Sequence, residues 1–418
     1  MSEVVQLIDL CKEELSGKYG IPAPAEEFDS SKVRYLRITD IDDNGNLLNS
    51  DMKSVSSHDI NKYLLSEGDI VFARTGNSTG RAYYHQEKNG QLAFAGFLIK
   101  FSLDSRKVNP MYLKYYTISS EYRAWVKNLS NGSTRGNINA QTFASCPIKL
   151  PERAVQDSLV QIMSTIDQKI ALNNQINEEL EAMAKTLYNY WFVQFDFPDE
   201  NGKPYKSSGG KMVYNDQLKR EIPEGWGVKQ LGELCEFRNG INYEKSEAGD
   251  TLSKIVNVRN ISNSSTFVTT YDLDSITLDR RRIENYLVTD RTILITRSGI
   301  PGATRLVSDI PANTIYSGFI IGATVANLNL FYYVFYHLKN IEMLMSNQSA
   351  GTIMKNISQT TLSEIRIAIP NKEIQKVFSN QVRSLLDVIE NNLKQNQELT
   401  QLRDWLLPML MNGQVKVE

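Results

Sequence analysis

The residues of this chain best suited to chemistry are arginines and asparagines gathered in short polar loops. The chemistry they suit is hydrogen bonding to flat, polar edges. An arginine fork matches the two acceptors of guanine, and an asparagine amide matches the donor–acceptor pair of adenine. Loops of this composition carry Arg74, Asn77 and Arg81, then Arg135 and Asn137, then Arg297, Ser298 and Arg305, then Lys355 and Asn356. The run Arg280-Arg281-Arg282 suits phosphate oxygens, which position a nucleic acid without reading it. Taken singly, each side chain fits a solvated charge or a turn-stabilising group equally well.

Groups for bond-making chemistry do not assemble in the pattern. Cys11, Cys146 and Cys235 have neither zinc spacing nor a disulfide framework, and His58, His85 and His337 are scattered. No metal or other cofactor is expected, and a reduced, cytoplasmic setting is the natural reading. The chain has no G-x-x-x-x-G-K-[ST] loop for nucleotide phosphates, since Gly209-Gly210-Lys211-Met212 lies in a connector. Asn109-Pro110-Met111-Tyr112 loosely resembles the catalytic loop of an adenine methyltransferase but lacks its second proline and a cofactor-binding turn. It reads instead as the cap of a helix from Met111 to Lys127. The turns Gly76 to Gly80 and Gly299 to Gly302 fit anion nests or tight turns equally.

A tandem repeat must position these loops. Gln6-Leu7-Ile8-Asp9-Leu10-Cys11 returns as Gln230-Leu231-Gly232-Glu233-Leu234-Cys235, an offset of 224. The segment ending Arg74-Thr75-Gly76 returns as Arg297-Ser298-Gly299 at 223, and Gly96-Phe97 as Gly318-Phe319 at 222. Asn137-Ile138 and Pro151 return as Asn356-Ile357 and Pro370 at 219. Several matches in one order, with an offset drifting by a few residues, mark a duplicated unit with loop insertions. Within each copy, Ile70 to Ala73 and Ile293 to Thr296 read as strands, as do Ile148 to Leu150 and Ile365 to Ile369. The segment Ser16 to Ser31 finds no close echo in Gly240 to Ser253.

After Pro151 and Pro370 the composition turns helical. Ile162, Ile166, Lys169, Asn173, Ile176, Leu180, Met183 and Leu187 recur in steps of three and four. So do Val382, Leu385, Ile389, Asn392, Asn396, Leu399, Leu402 and Leu406. That is a heptad seam, hence a coiled coil. Asn173 and Asn392 interrupt it at the repeat offset of 219, as polar residues that fix register do. The alternative is that each helix packs on its own domain.

Charge gives no bulk support for a polyanionic partner, because the net charge is −2. Residues 1–150 hold 18 Lys/Arg against 17 Asp/Glu, and residues 221–370 hold 14 against 15. No apolar run approaches a membrane span, and the N-terminus does not read as a signal peptide.

Two α/β units each followed by a long helix, joined by Asp196-Phe197-Pro198, Gly202-Lys203-Pro204-Tyr205 and Ile222-Pro223-Glu224-Gly225-Trp226, resemble type I restriction–modification specificity subunits. The resemblance implies an α+β chain with two target-recognition domains, at 1–151 and 227–370, in tandem pseudo-repeat. Spacer helices at 152–194 and 371–412, with a linker at 195–226, would pair as an antiparallel coiled coil. It further implies a non-catalytic DNA reader of a bipartite asymmetric site. Its partners would be double-stranded DNA, two methyltransferase subunits and restriction/translocase subunits, with no membrane. A spacer of 32 residues, Leu159 to Tyr190, spans roughly 48 Å at ~1.5 Å per residue, against about 34–36 Å between half-sites one helical turn apart. The competing readings are a coiled-coil scaffold that binds only proteins, and an enzyme with an unfamiliar catalytic motif.

Overall fold

A computed structural model describes residues 3–130, 137–244, 247–271, 273–347 and 357–414. The chain divides into two compact units, Met1–Ile170 with Gln397–Glu418, and Ala171–Asn396. Each long helix therefore contributes to both.

In the first unit the apolar run at Asp69–Ala73 forms a strand buried along its whole length, which is why it reads as continuous rather than alternating. It pairs antiparallel with Leu98–Ser102, from Asp69 opposite Ser102 to Ala73 opposite Leu98. Lys18–Tyr19 and Ala82–Tyr84 flank this pair in a four-stranded sheet. A second sheet joins Glu26–Glu27, Lys53–Ser54, Arg34–Leu36 and Leu92–Phe94, and Glu3–Gln6 pairs with Pro147–Leu150. Phe72 stacks on Phe143 with ring centroids 4.9 Å apart at the centre of the core.

The single helix expected from Met111 to Lys127 is two, Pro110–Tyr116 and Ser120–Ser130. Asn109 caps the first, its Oδ1 accepting from Met111 N–H at 3.1 Å. The break falls where hydroxyls bind the backbone instead: Thr117 Oγ1 donates to Lys114 O at 2.9 Å, and Ser119 Oγ accepts from Tyr122 N–H at 3.3 Å. Sequence periodicity does not register that competition.

The second unit repeats the plan. Thr292–Thr296 is buried throughout and pairs antiparallel with Ile320–Val325. Cys235–Asn239, Thr304–Val307 and Phe267–Val268 complete a five-stranded sheet. Asp274–Leu278, Thr251–Val256 and Thr314–Tyr316 form another, and Gly227–Gln230 pairs with Arg366–Ile369. Here the helix Leu328–Asn347 is unbroken. Repeat equivalents make the same bonds. Gln6 N–H donates to Asp9 and Gln230 N–H to Glu233, each at 2.9 Å, and Gln156 and Gln375 cap the carbonyls of Pro151 and Pro370.

The echo missing from the sequence of Ser16 to Ser31 exists in the backbone. Gly20-Ile21 and Gly240-Ile241 occupy equivalent places, with Ile21 N–H bonding Phe94 O and Ile241 N–H bonding Tyr316 O, both at 2.9 Å. A Cβ on either glycine would lie 2.2 Å from a carbonyl oxygen, of Ala95 or of Ser317, so the chain passes too close for a side chain.

The long helices run Arg153–Tyr188 and Lys372–Met411. The second continues through Pro408 in its last turn. The first passes into a π-helical turn at Asn189–Val193 and stops at Phe195, whose φ is 65°. Of the seam residues, Ile166, Asn173, Val382 and Ile389 are buried, while Ile162, Ile176, Leu180, Leu187, Leu385, Asn392, Leu399 and Leu406 are half-buried. Met183 and Leu402 are 56% and 42% exposed, and their neighbours Ala184 and Arg403 are buried instead. A strict three-and-four count slips phase on a helix of 3.6 residues per turn.

Within the second unit the two helices meet in antiparallel sense through asparagines. Asn173 Nδ2 donates to Asn396 Oδ1 at 2.8 Å and to Gln395 Oε1 at 2.8 Å, and Asn392 Nδ2 donates to Asn177 Oδ1 at 2.9 Å. Since 173 + 219 is 392 and 177 + 219 is 396, the two asparagine pairs exchange under the repeat. Each interrupting asparagine thus faces the equivalent of its neighbour one turn along, and Asn177 had carried no signal in the apolar pattern. Within the first unit, Leu159, Met163 and Ile166 share a core with Leu407, Leu410 and Met411. There Asp167 lies 3.6 Å from Arg403 and 2.7 Å from Lys114.

The connector is itself packed. Met212–Asn215 and Arg220–Pro223 form a hairpin, and Phe197 stacks between Tyr205 and Trp226 at 4.7 and 5.1 Å. Among the described residues no helix is long and apolar enough to cross a membrane.

Candidate nucleic-acid interface

Each unit ends its central buried strand on an arginine. Arg74 N–H donates to Phe97 O at 3.0 Å, and Arg74 O accepts from Ile138 N–H at 2.9 Å. Arg297 N–H donates to Phe319 O at 2.9 Å, and Arg297 O accepts from Ile357 N–H at 3.2 Å. The same three backbone segments therefore meet at each arginine.

In the first unit the Arg74 guanidinium lies 4.9 Å from the Tyr19 ring centroid, and its Nε donates to Asn137 Oδ1 at 3.2 Å. The sequence pattern singled out Arg74 and Asn137 separately, and the fold brings them together. Tyr19 was missed, because a single aromatic in a two-residue strand has no periodic signal. Asn77 is exposed on the adjoining turn. Arg81 is half-buried, bonded to Asp43 at 2.8 Å and to Ile41 O at 3.0 Å, so part of its fork is already engaged. Arg135 lies outside the described residues.

In the second unit Arg297 Nη1 donates to Gly318 O at 3.1 Å, beside a half-exposed Ser298. Arg280, Arg281 and Arg282 are exposed on a short helix. Arg282 pairs with Glu247 at 2.5 Å, while Arg280 and Arg281 form no ion pair among the described residues. Lys355 and Asn356 lie outside the described residues.

Arg305 does not belong to the interface. It is 8% exposed, pairs with Glu342 at 3.0 Å and donates to Ser264 O and Thr304 O at 2.7 Å each. The sequence placed it after a polar turn, but it sits within the strand Thr304–Val307, where its fork is used by the fold.

The glycine turns resolve as tight turns. Gly76, Gly80, Gly299 and Gly302 all have φ between 74° and 87°. Each turn closes back on its strand: Gly80 N–H bonds Ala73 O at 2.8 Å, and Gly302 N–H bonds Thr296 O at 2.9 Å. The three cysteines are buried and free, and burial pushes each thiol up to about 12. No cluster of three His, Cys, Asp or Glu side chains suited to a metal occurs among the described residues. The arrangement offers two half-buried arginine forks at equivalent strand ends, a geometry suited to recognition.

Comparison with known proteins agrees. The profile of the type I restriction modification DNA specificity domain matches twice, at residues 2–182 and 223–401. The type I restriction enzyme MjaIX specificity subunit of Methanocaldococcus jannaschii is 27% identical over 312 residues, covering 73% of this chain and 69% of that protein. The HindI specificity subunit of Haemophilus influenzae is 24% identical over 405 residues, covering 85% and 88%. In fold, the chain is similar to the crystal structure of a type I restriction–modification S subunit from M. genitalium. The TM-score is 0.55 at 16% identity, covering 98% of this chain and 96% of that one.

Proposed function

Because the chain belongs to the type I restriction modification DNA specificity family, whose task is DNA sequence recognition, we propose that it reads a bipartite, asymmetric site with one reader per half-site. The observation that carries this is the strand-end arginine, Arg74 in one unit and Arg297 in the other, held by the same backbone partners amid different side chains. A shared scaffold with differing surroundings is what two readers of unlike sequence need.

The candidate contacts are Arg74, Asn77 and Asn137 in the first reader, and Arg297 and Ser298 in the second. Arg280 and Arg281, exposed on their short helix, would clamp phosphate. Arg81 and Arg282, each already ion-paired, act at most through their remaining donors. The long helices set the spacing between half-sites as a coiled coil. Their outward apolar residues, Met183 and Leu402 at the repeat offset of 219, fit docking by two methyltransferase subunits. Restriction/translocase subunits join that core in the cytoplasm. The chain itself is the non-catalytic reader and takes no cofactor.

Replacing residues 1–151 by the corresponding domain of a relative tests this. Methylome sequencing of cells expressing the hybrid with its methyltransferase should show one half-site changed, with the other half and the spacing retained. A change in both halves together would refute the two-reader assignment.

A further inference from the structure

Phe97 and Phe319 hold the same place in the two units, each on the turn that enters the strand paired with the central strand. Most aromatic rings in both units are buried, yet Phe97 is 59% exposed and Phe319 is 65% exposed. Neither ring is loosely tethered. The carbonyl of each accepts the N–H of the strand-end arginine, at 3.0 Å for Arg74 and 2.9 Å for Arg297. The preceding glycines pack against the neighbouring chain, Gly96 near Ile21 O and Gly318 near the Asn242 side chain. The rings are thus carried outward on backbone that is hydrogen-bonded to the strand-end arginines.

Their neighbours are polar and differ. Tyr19, 42% exposed, stands opposite Ile99 and under the Arg74 guanidinium. The corresponding strand position opposite Ile321 is Asn239. Asn239 Oδ1 and Arg297 Nε are buried atoms without a hydrogen-bond partner among the described residues. A lone exposed phenylalanine needs no explanation. Two at equivalent positions, each fixed to an arginine whose fork reaches polar surface, match the pairing of ring and cation that meets stacked bases. The ring takes a base face or enters a base step, and the guanidinium takes the nearby edge or phosphate.

We propose that Phe97 and Phe319 are the stacking residues of the two readers, each pressing its ring against a base step of double-stranded DNA beside the atoms held by Arg74 or Arg297. This rests on the two-reader assignment and names residues outside the arginine–asparagine set. Because Tyr19 supplies a second ring in the first reader and Asn239 a carboxamide in the second, the two rings favour different steps.

The test uses the complex of the full chain with its methyltransferase, and duplexes carrying the site mapped by methylation. In these, 2-aminopurine replaces bases one at a time outside the methylated adenines. Phe97→Ala should lower affinity about tenfold or more and abolish the fluorescence rise at steps in one half-site. Phe319→Ala should do so in the other half-site. Phe97→Trp and Phe319→Trp should retain both signals, and none of these variants should shift the melting temperature, because the rings are exposed. Unchanged affinity and fluorescence in the alanine variants would overturn the proposal. So would a loss traced to weaker assembly with the methyltransferase in the absence of DNA, since the rings would then be a protein contact. If the unmutated complex did not prefer the mapped duplex over a scrambled one, the two-reader assignment itself would fall.

Discussion

Arg305 is bonded to Glu342 and to two carbonyls, while Arg74 lies half-buried against the exposed Tyr19 and Asn137. The two arginines should therefore answer truncation in opposite ways. Arg305→Ala leaves Glu342 without its buried partner and is expected to cost about 3 kcal/mol of stability, read as a lower denaturation midpoint. Arg74→Ala should keep stability within about 1 kcal/mol and lower DNA affinity about tenfold, read by titrating a labelled duplex with the methyltransferase complex. A second residue-scale expectation concerns acid. Burial pushes His337 down to about 4 from an ordinary 6.5, with Tyr188 Oη 2.9 Å from its Nδ1. Between those values the unfolded chain binds the extra proton and the folded chain does not. Stability present above pH 6.5 is therefore lost as pH falls toward 4, by on the order of 3 kcal/mol. Melting temperature measured across that window should drop steeply, and His337→Gln should flatten the drop.

The paired helices are stabilised by apolar residues and aligned by asparagines. Removing one side of a partly buried amide pair strands the other, so Asn177→Leu alone should cost about 1 kcal/mol or more by leaving Asn392 without its acceptor. Asn177→Leu with Asn392→Leu should recover most of that loss, because two apolar groups replace a satisfied pair. Urea midpoints of the single and double variants measure the coupling, and simple additivity would mean that the amides do not interact. The helices were also the most legible part of the sequence, since a period sustained over many turns survives local noise. The repeat was equally legible, through Gln6 to Cys11 and the Arg74 segment. What stayed hidden depends on contacts far apart in the chain. Nothing near Tyr19 announces that Arg74 will lie over its ring. Arg305 sits beside a turn in sequence, but only the fold supplies Glu342. The break at Thr117 to Ser119 arises from hydroxyls competing for backbone, which apolar spacing cannot express.

At the scale of the whole chain, charge sets the expectation. Residues 1–150 exceed neutrality by one, and residues 221–370 fall short by one. Few counterions are released when such surfaces meet DNA, so the chain alone should bind weakly. Specific protein–DNA complexes commonly reach about 10⁻⁸ M at physiological salt, and the missing basic surface must come from a partner. Adding the methyltransferase should raise affinity for the mapped duplex at least ~100-fold, equivalent to about 2.7 kcal/mol of coupling. Fluorescence anisotropy with and without the partner measures it. Equal, tight and selective binding by the lone chain would show that the readers supply their own affinity.

The three buried thiols give this chain a built-in clock for opening. Cys11 and Cys146 belong to one unit and Cys235 to the other, and each is protonated and enclosed at neutral pH. An alkylating reagent reaches a sulfur only when the surrounding strands part, so the modification rate at each position reports the transient unfolding of its own half. Pulsed alkylation followed by peptide mass spectrometry would time the two halves separately in one sample. Comparing the clocks before and after a matching duplex is added would reveal whether engaging one half-site steadies the other.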